Sequence, residues 1–280
     1  MTSKLHDRIL ELQDQFTESE RRLAQVTLEC IGNLAAYTGA ELAQRAGVSK
    51  ASAGRFFRRL GYENFNEVRA LARDEADLGS PLRELAHIDD SAANPAARHL
   101  ANDLQNLSKT FERLDPDDVR QVSALLKSAR KVYIAGFRNG RVVAQYAWAL
   151  LTQLRGDVAL VPGAGLNLAE DLADLGARDL LLVMDFRRRV SLLRPMVEHA
   201  NRVNAKVVIL TDPTATELPA RSDVVLRCVN RGSALFDSYV AAISVVNHLC
   251  GTFARTLGDA ARERLESIET LHEHYGDLHR

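Results

Sequence analysis

The part of the chain that most restricts its fold begins near residue 130, where short apolar runs alternate with helical segments. The runs are residues 132–135, 158–161, 180–184, 207–210 and 224–226. Each run is continuously apolar, which is typical of strands buried on both faces. Because helical segments lie between the runs, the sequence predicts a five-stranded parallel sheet flanked by helices. A long apolar helix over residues 233–256 and a polar helix over 259–275 are expected to follow the last strand.

The residues before position 80 have a different character. Every periodic segment there reads as helix, and aliphatic strand-like runs are missing. Residues 79–95 contain glycine and proline among small and polar residues, which is typical of a linker. The sequence therefore predicts two domains, an all-α domain over residues 1–78 and an α/β domain over residues 96–280, joined by that linker.

Whole-chain properties exclude several classes of protein. Hydrophobic residues make up 46% of the 280 positions, which is enough for two cores and too many for a disordered chain. The three cysteines are far apart, so neither a disulfide framework nor a paired-cysteine metal site is expected. The chain shows no signal-peptide pattern and no apolar segment as long as a membrane span. We therefore expect a cytoplasmic protein with no cofactor, no metal and no membrane partner.

Residues 40–62 have the pattern of a helix-turn-helix. A first helix stops at Gly47, which suits a tight turn, and Ser49 is a good N-cap for the second helix. The net charge of the whole chain is only −1, but residues 45–60 contain five basic residues and no acid. Such clustering suits phosphate binding, and the first turns of the second helix would meet base edges. The alternative is an amphipathic helix with a solvated basic face.

The residues predicted to contact double-stranded DNA lie on this second helix and its cap. They are Ser49, Lys50, Ala51, Ser52, Arg55, Arg58 and Arg59. Phe56 and Leu60 are expected to face the core, and the orientation of Phe57 is left open.

Both halves of the chain resemble domains of one known family. Residues 1–77 resemble the N-terminal domain of the RpiR/MurR regulators, on the stretch ELAQRAGVSKASAGRFFRRLGYENFNEVRALA. Residues 130–256 resemble a SIS (sugar isomerase) domain, on KVYIAGFRNGR, DLLLVMDFRRR and AKVVILTD. The resemblance implies a transcription regulator that binds operator DNA as a homodimer or homotetramer, with a SIS domain that senses a small ligand.

Ligand loops in parallel sheets lie at the carboxyl ends of the strands. The candidate ligand-binding residues are Gly136, Arg138, Asn139, Gly140, Arg141, Asp185, Arg187, Arg188 and Ser233. The glycines would allow an open loop that holds an anion at a helix N-terminus. SIS domains that bind phosphosugars carry Ser or Thr in the loops after the first and third strands, and this chain carries an arginine triplet in the second of these loops. Arginines bind phosphate or carboxylate in a bidentate manner, so we expect a small anionic metabolite.

Several alternatives stay open at this point. The arginine triplet, residues 187–189, could be a solvated face or an oligomer contact, and Ser233 could be the N-cap of the long helix. No catalytic residues are assigned, because neither a positioned base nor a phosphate grip is evident. A sugar-phosphate isomerase is the alternative function, and a regulator whose SIS domain only oligomerises is a further one.

Overall fold

The computed structural model describes two compact units, residues 1–86 and 87–280. The described residues are 5, 8–9, 11–12, 15–30, 34, 37–77, 94–165 and 167–277. Residues 79–93 of the predicted linker lie outside them. Asn94 caps the first described helix of the second unit, and Pro95 is the first residue of that helix.

The first unit is helical, as the sequence predicts. Its described helices are α1 (Glu18–Glu29), α2 (Gly39–Arg45), α3 (Lys50–Arg59) and α4 (Phe65–Asp77). Helices α1 and α2 both begin with a capping box, in which a threonine and a glutamate three residues later satisfy each other's backbone amides. These caps fix where each helix begins.

An aromatic cluster joins the helices of the first unit. Phe56 and Phe57 on α3 are fully buried, and their ring centroids lie 5.2 Å apart. Phe16 lies 5.5 Å from Phe56, and Phe65 lies 5.0 Å from Phe57. Leu60 is also buried, so the predicted core positions are confirmed and Phe57 joins them. The burial of one face of α3 leaves its other face to solvent.

The second unit is built on the predicted five-stranded parallel sheet. Its strands are β1 (Val132–Gly136), β2 (Val158–Val161), β3 (Leu180–Asp185), β4 (Lys206–Thr211) and β5 (Val224–Arg227). They lie in the order β2-β1-β3-β4-β5, and every pair is parallel. The carboxyl ends of β1, β3 and β4 are therefore neighbours at one edge of the sheet.

Helices cover both faces of this sheet. They are α5 (Pro95–Phe111), α6 (Pro116–Ser128), α7 (Asn139–Leu154), α8 (Leu168–Leu172), α9 (Leu193–Arg202), α10 (Val240–Leu257) and α11 (Asp259–Tyr275). Along β1, Val132 and Ile134 pack in the core on the side of α6, α7 and α10, and Tyr133 and Ala135 pack on the side of α8 and α9. This alternation between two cores explains why the strands are continuously apolar.

The long helix after β5 begins later than predicted. It starts at Val240, so the expectation that Ser233 begins and caps it is wrong. The residues before it form an irregular connection, 228–239, whose backbone is bonded elsewhere. The Val229 amide donates to the Thr110 hydroxyl, and the Ser238 amide donates to the Asn230 carbonyl. These bonds take the place of the helical ladder.

Helix α10 is apolar over a greater length than the sequence predicts for any segment. Its 18 residues have a mean hydropathy of 1.2, so by length and composition alone it is long and apolar enough to cross a membrane. The sequence-based statement that no segment reaches that length is therefore wrong. Seven of its residues, among them Val245 and Phe253, are buried in the core beside the sheet. Packing in this core explains the apolar composition of the helix.

Candidate DNA-binding surface and ligand site

The start of α3 is fixed by its cap. The Ser49 hydroxyl accepts a hydrogen bond from the Ser52 amide at 3.1 Å, and the two serine hydroxyls lie 2.9 Å apart. The preceding turn contains Gly47 at φ +63°, and the Val48 amide donates to the Ala43 carbonyl. This is the geometry of a helix-turn-helix, with the first turn of α3 exposed.

The exposed face of α3 is cationic. Lys50, Arg55 and Arg58 are exposed, and Ala51 lies beside Lys50 in the first turn. Arg55 donates to the Ser52 hydroxyl at 3.2 Å, and Arg58 donates to a backbone carbonyl of its own helix at 3.3 Å. Among the described residues, no carboxylate pairs with these three cations. Their charge is therefore available to a polyanion.

Arg59 is placed differently from the other cations of α3. Its guanidinium forms an ion pair with Glu20 at 2.9 Å, donates to the Gln15 carbonyl at 2.9 Å and lies 5.6 Å from the Phe16 ring centroid. These contacts join α3 to the start of α1. A DNA contact by Arg59 stays a prediction, and its present partners give it a structural role within the unit.

The first ligand loop is tight rather than open. Only two residues connect β1 to α7, and a Cβ on Gly136 would lie 2.6 Å from the Gly140 carbonyl oxygen. Gly140 is itself buried against the Met184 carbonyl of β3. The expectation of an open glycine loop is therefore wrong, because these glycines serve close packing of strand and helix. Asn139 and Arg141 lie in the first turn of α7.

Two arginines at this edge have strained backbones. Arg138 follows β1 with φ +52°, and Arg188 follows β3 with φ +56°. Such conformations cost on the order of 1–3 kcal/mol for a residue other than glycine and cluster at functional sites. Both side chains are exposed, and neither is paired with a carboxylate among the described residues. Arg138 and Arg188 are therefore the cations that this edge offers to solvent.

The other two arginines of the triplet are bound within the unit. Arg187 Nη2 lies 2.6 Å from Asp237 Oδ1, in the connection before α10. Arg189 lies between two buried acids, with Nε 3.0 Å from Asp185 Oδ2 and Nη2 2.8 Å from Asp212 Oδ2. The structure thus brings Asp185 and Arg187 to the same strand ends, as predicted, but with their charges compensated. Arg189 was absent from the candidate ligand set.

Asp185 is the titratable group at the floor of this edge. It is 1% exposed, and burial raises its pKa to about 6, with Arg189 opposing the change and Asp212 adding to it. Its Oδ1 atom is buried and has no hydrogen-bond partner among the described residues. A buried carboxylate oxygen without a partner is uncommon in folded proteins, and the predicted role of Asp185 in ligand binding stays a prediction.

Sequence reasoning missed Tyr239, which lies beside these loops. Its ring packs edge-on against Phe186, with the centroids 5.1 Å apart. Burial, together with the charges of Asp237 and Asp212 and against those of Arg187 and Arg138, raises the pKa of Tyr239 to about 12. Charges from four different connections therefore act on the Tyr239 phenol. No motif identifies Tyr239; the only signal is an aromatic residue before the long helix.

Ser233 lies elsewhere in the connection before α10. It is partly buried, and its hydroxyl is 3.2 Å from His99 Nδ1 of α5. Its predicted role in ligand binding stays a prediction.

Comparison with known proteins gives the family. The model of the helix-turn-helix domain of the rpiR family matches residues 3–77, and the SIS domain model matches residues 125–250. The chain is 24% identical over 275 residues, 96% of its length, to the bifunctional protein glk of Burkholderia pseudomallei, but it spans only 41% of that relative. It is 25% identical over 228 residues to an uncharacterized HTH-type transcriptional regulator of Providencia stuartii, with 81% of this chain and 79% of that protein covered.

A solved structure matches both units. The Vibrio vulnificus NanR protein complexed with ManNAc-6P matches with a TM-score of 0.59 and 16% identity, covering 96% of this chain and 97% of that one. At this identity the match concerns the fold alone. Taken with the two matching domains in their order along the sequence, it leads to one conclusion: the chain belongs to the RpiR family, with an N-terminal helix-turn-helix domain followed by a SIS domain.

Proposed function

We propose that this chain is a cytoplasmic transcriptional regulator that binds double-stranded operator DNA through its first unit. The observation that carries the proposal is the exposed cationic face of α3. In the described part of the chain no carboxylate pairs with Lys50, Arg55 or Arg58, and two buried phenylalanines anchor the opposite face of the helix. A rigid helix that presents only cations and small polar side chains suits the major groove.

The second unit is proposed to sense a small anionic metabolite. Arg138 and Arg188 supply positive charge that no carboxylate pairs among the described residues, and Tyr239 supplies a hydroxyl near Arg138. The Vibrio vulnificus relative was solved with a sugar phosphate, which is one member of the anionic class. Directly after the first and third strands the chain carries Phe137-Arg138-Asn139-Gly140 and Phe186-Arg187-Arg188-Arg189 rather than Ser or Thr, so the class includes carboxylates as well as phosphosugars.

Oligomerisation is part of the same proposal. Leu100 and Leu104, one turn apart on α5, are 59% and 55% exposed. Large apolar side chains grouped on an exposed helix face are typical of an interface. A homodimer or homotetramer would also present two copies of α3 to a two-fold symmetric operator.

The experiment that tests DNA binding is a fluorescence anisotropy titration of the full chain on DNA flanking its own gene. Lys50→Ala and Arg55→Ala are each expected to weaken binding, by about 1–3 kcal/mol for a base contact, or to lower the salt slope by about 1 for a phosphate contact. Arg178→Ala is the matched control, because it removes an exposed arginine of the second unit. Wild-type affinity and salt slope in both α3 variants would contradict the proposal.

The same titration, repeated with sugar phosphates and organic acids in solution, tests the sensing function. At least one anion is expected to change the operator affinity of the wild-type chain, and Arg138→Ala is expected to weaken that effect. If no compound changes the affinity while DNA binding itself is intact, the SIS domain serves only oligomerisation.

A sugar-phosphate isomerase needs a base that can reach its substrate. Asp185 is the carboxyl group with a raised pKa at this edge, but it is 1% exposed and bound by Arg189. A carboxyl group buried in this way does not reach a substrate, which is evidence against the isomerase function. Turnover of sugar phosphates by the purified chain would support the isomerase function.

A further inference from the structure

The connection between β5 and α10, residues 228–239, touches two different parts of the second unit. It is referred to below as the coupling loop. At its C-terminal end, Asp237 holds Arg187 at 2.6 Å, and the Tyr239 ring packs on Phe186. Arg187 and Phe186 both follow β3, so this end belongs to the candidate ligand site.

The N-terminal end of the coupling loop is bonded to helix α5. The side-chain amides of Asn102 and Asn106 both donate to the Arg231 carbonyl at 2.7 Å. The Val229 amide donates to the Thr110 hydroxyl at 2.9 Å. With the contact between Ser233 and His99 already described, four side chains of α5 hold this end of the loop.

These bonds are a large part of what holds α5. The only buried residues described for this helix are Asn106 and Thr110, both polar and both bonded to the coupling loop. Its leucines at positions 100 and 104 are exposed. A further contact places the Phe111 ring 5.8 Å from His248 of α10. Helix α5 also packs along α10, so its position depends on the coupling loop together with that helix.

The loop itself is closed and tightly folded. The Ser238 amide donates to the Asn230 carbonyl at 3.0 Å, which brings its two ends together. A Cβ on Gly232 would lie 1.8 Å from the Phe236 carbonyl oxygen, so the chain doubles back there and admits only glycine. This closure places Asp237 and Arg231 in one compact loop.

We propose that the coupling loop transmits occupancy of the ligand site to α5, the first described helix after the segment that joins the two units. An anionic effector that binds Arg187 competes with Asp237 for the same guanidinium. Loss of this ion pair removes one of the contacts that hold the C-terminal end of the loop, and the bonds at Arg231 and Val229 pass the change to α5. The inference rests on the proposed sensing function and gives the route by which sensing is regulated.

The test is hydrogen–deuterium exchange of the full chain, read in peptides covering residues 95–111. Asp237→Asn imitates the release of Arg187 and is expected to speed exchange in α5 by roughly tenfold, besides exchange in the loop itself. Glu217→Gln is the matched control, because it breaks the ion pair of Glu217 with Arg194 at 2.9 Å, outside the loop. It is expected to leave exchange in α5 unchanged.

A charge-swapped variant separates coupling from general damage. Arg187→Asp combined with Asp237→Arg restores an ion pair, and exchange in α5 is expected to return toward the wild-type rate. Faster exchange confined to the loop, with α5 unchanged in Asp237→Asn, would overturn the proposal. So would faster α5 exchange in the control, or a swap that leaves α5 as fast as in Asp237→Asn.

This readout is independent of DNA and of any effector. If exchange is coupled but the chain binds no operator, the regulatory function fails and the internal linkage stands. If the operator is bound and α5 does not respond, the proposed function stands and the coupling route is wrong.

Discussion

Two buried aspartates at opposite ends of β3 are expected to affect stability in opposite directions. Asp179 precedes the strand and Asp185 ends it, and each residue is 1% exposed. The Asp179 carboxylate accepts two hydrogen bonds from Arg130 and one each from the Lys131 and Gly176 amides. Although burial opposes ionisation, these bonds hold the pKa of Asp179 below its usual value. Its charge therefore stabilises the folded unit at neutral pH.

The Asp185 carboxylate is poorly satisfied by comparison. Arg189 and the Thr211 hydroxyl both reach Oδ2, and Oδ1 has no partner among the described residues. With a folded-state pKa of about 6 against an ordinary value of 3.8, ionisation of Asp185 costs the folded unit about 3 kcal/mol. Because the folded-state pKa is the higher one, the cost is nearly absent at about pH 4, grows up to about pH 6 and is constant above that.

Replacing each aspartate with asparagine distinguishes the stabilising charge of Asp179 from the destabilising charge of Asp185. Asp185→Asn is expected to stabilise the second unit at about pH 8 by up to ~3 kcal/mol, which raises its melting temperature by roughly 6–12 °C, and to have little effect at about pH 4. Asp179→Asn is expected to lower the melting temperature at about pH 8. Thermal unfolding followed by circular dichroism across this pH range measures both. A destabilising Asp185→Asn at high pH, or an effect independent of pH, would refute the reasoning.

Two further predictions concern local geometry. Ser49→Ala removes the cap of α3 and is expected to destabilise the first unit by about 1 kcal/mol, measured as a shift in the urea midpoint, whereas Ser49→Asp is expected to retain most of that stability. Gly136→Ala places a methyl group 2.6 Å from a backbone oxygen and is expected to destabilise the second unit by about 1–3 kcal/mol. Gly156→Ala, where no atom lies within 4 Å of the added Cβ, is its control. Equal urea midpoints for the two glycine variants would contradict the packing argument.

The sheet was predictable because its signal is local and repeated. Each strand is a continuous apolar run, and that pattern depends only on burial of both faces, as the two cores on either side of β1 illustrate. The start of α3 was predictable for a similar reason, since a serine cap and the amide that it binds are three residues apart. Features of this kind need no knowledge of the tertiary structure.

The candidate ligand site was only partly predictable, because the arginines there pair with aspartates that are distant in sequence. The arginine triplet is visible in the sequence, but Asp212 and Asp237 follow it by 23 and 50 residues and determine which cations stay unpaired. The conformation of the connection 228–239 also depends on residues that are distant in sequence. Its sequence resembles the beginning of the apolar helix, and bonds to α5, more than 110 residues earlier, hold it in an irregular conformation instead.

The charges at the strand ends also differ in how readily they can respond to a ligand. Arg189 lies between Asp185 and Asp212, which are 1% and 0% exposed, so removing it would leave two buried carboxylates without a cation. Such a loss costs about 3–5 kcal/mol for a buried pair, more than most single anion contacts return. Within the described ranges Arg187 has one carboxylate partner, Asp237, which lies in an irregular connection rather than at the end of a strand. In the proposed coupling, an incoming anion would therefore compete for Arg187 and leave Arg189 in place, so the strand ends would keep their structure while the connection before α10 changes.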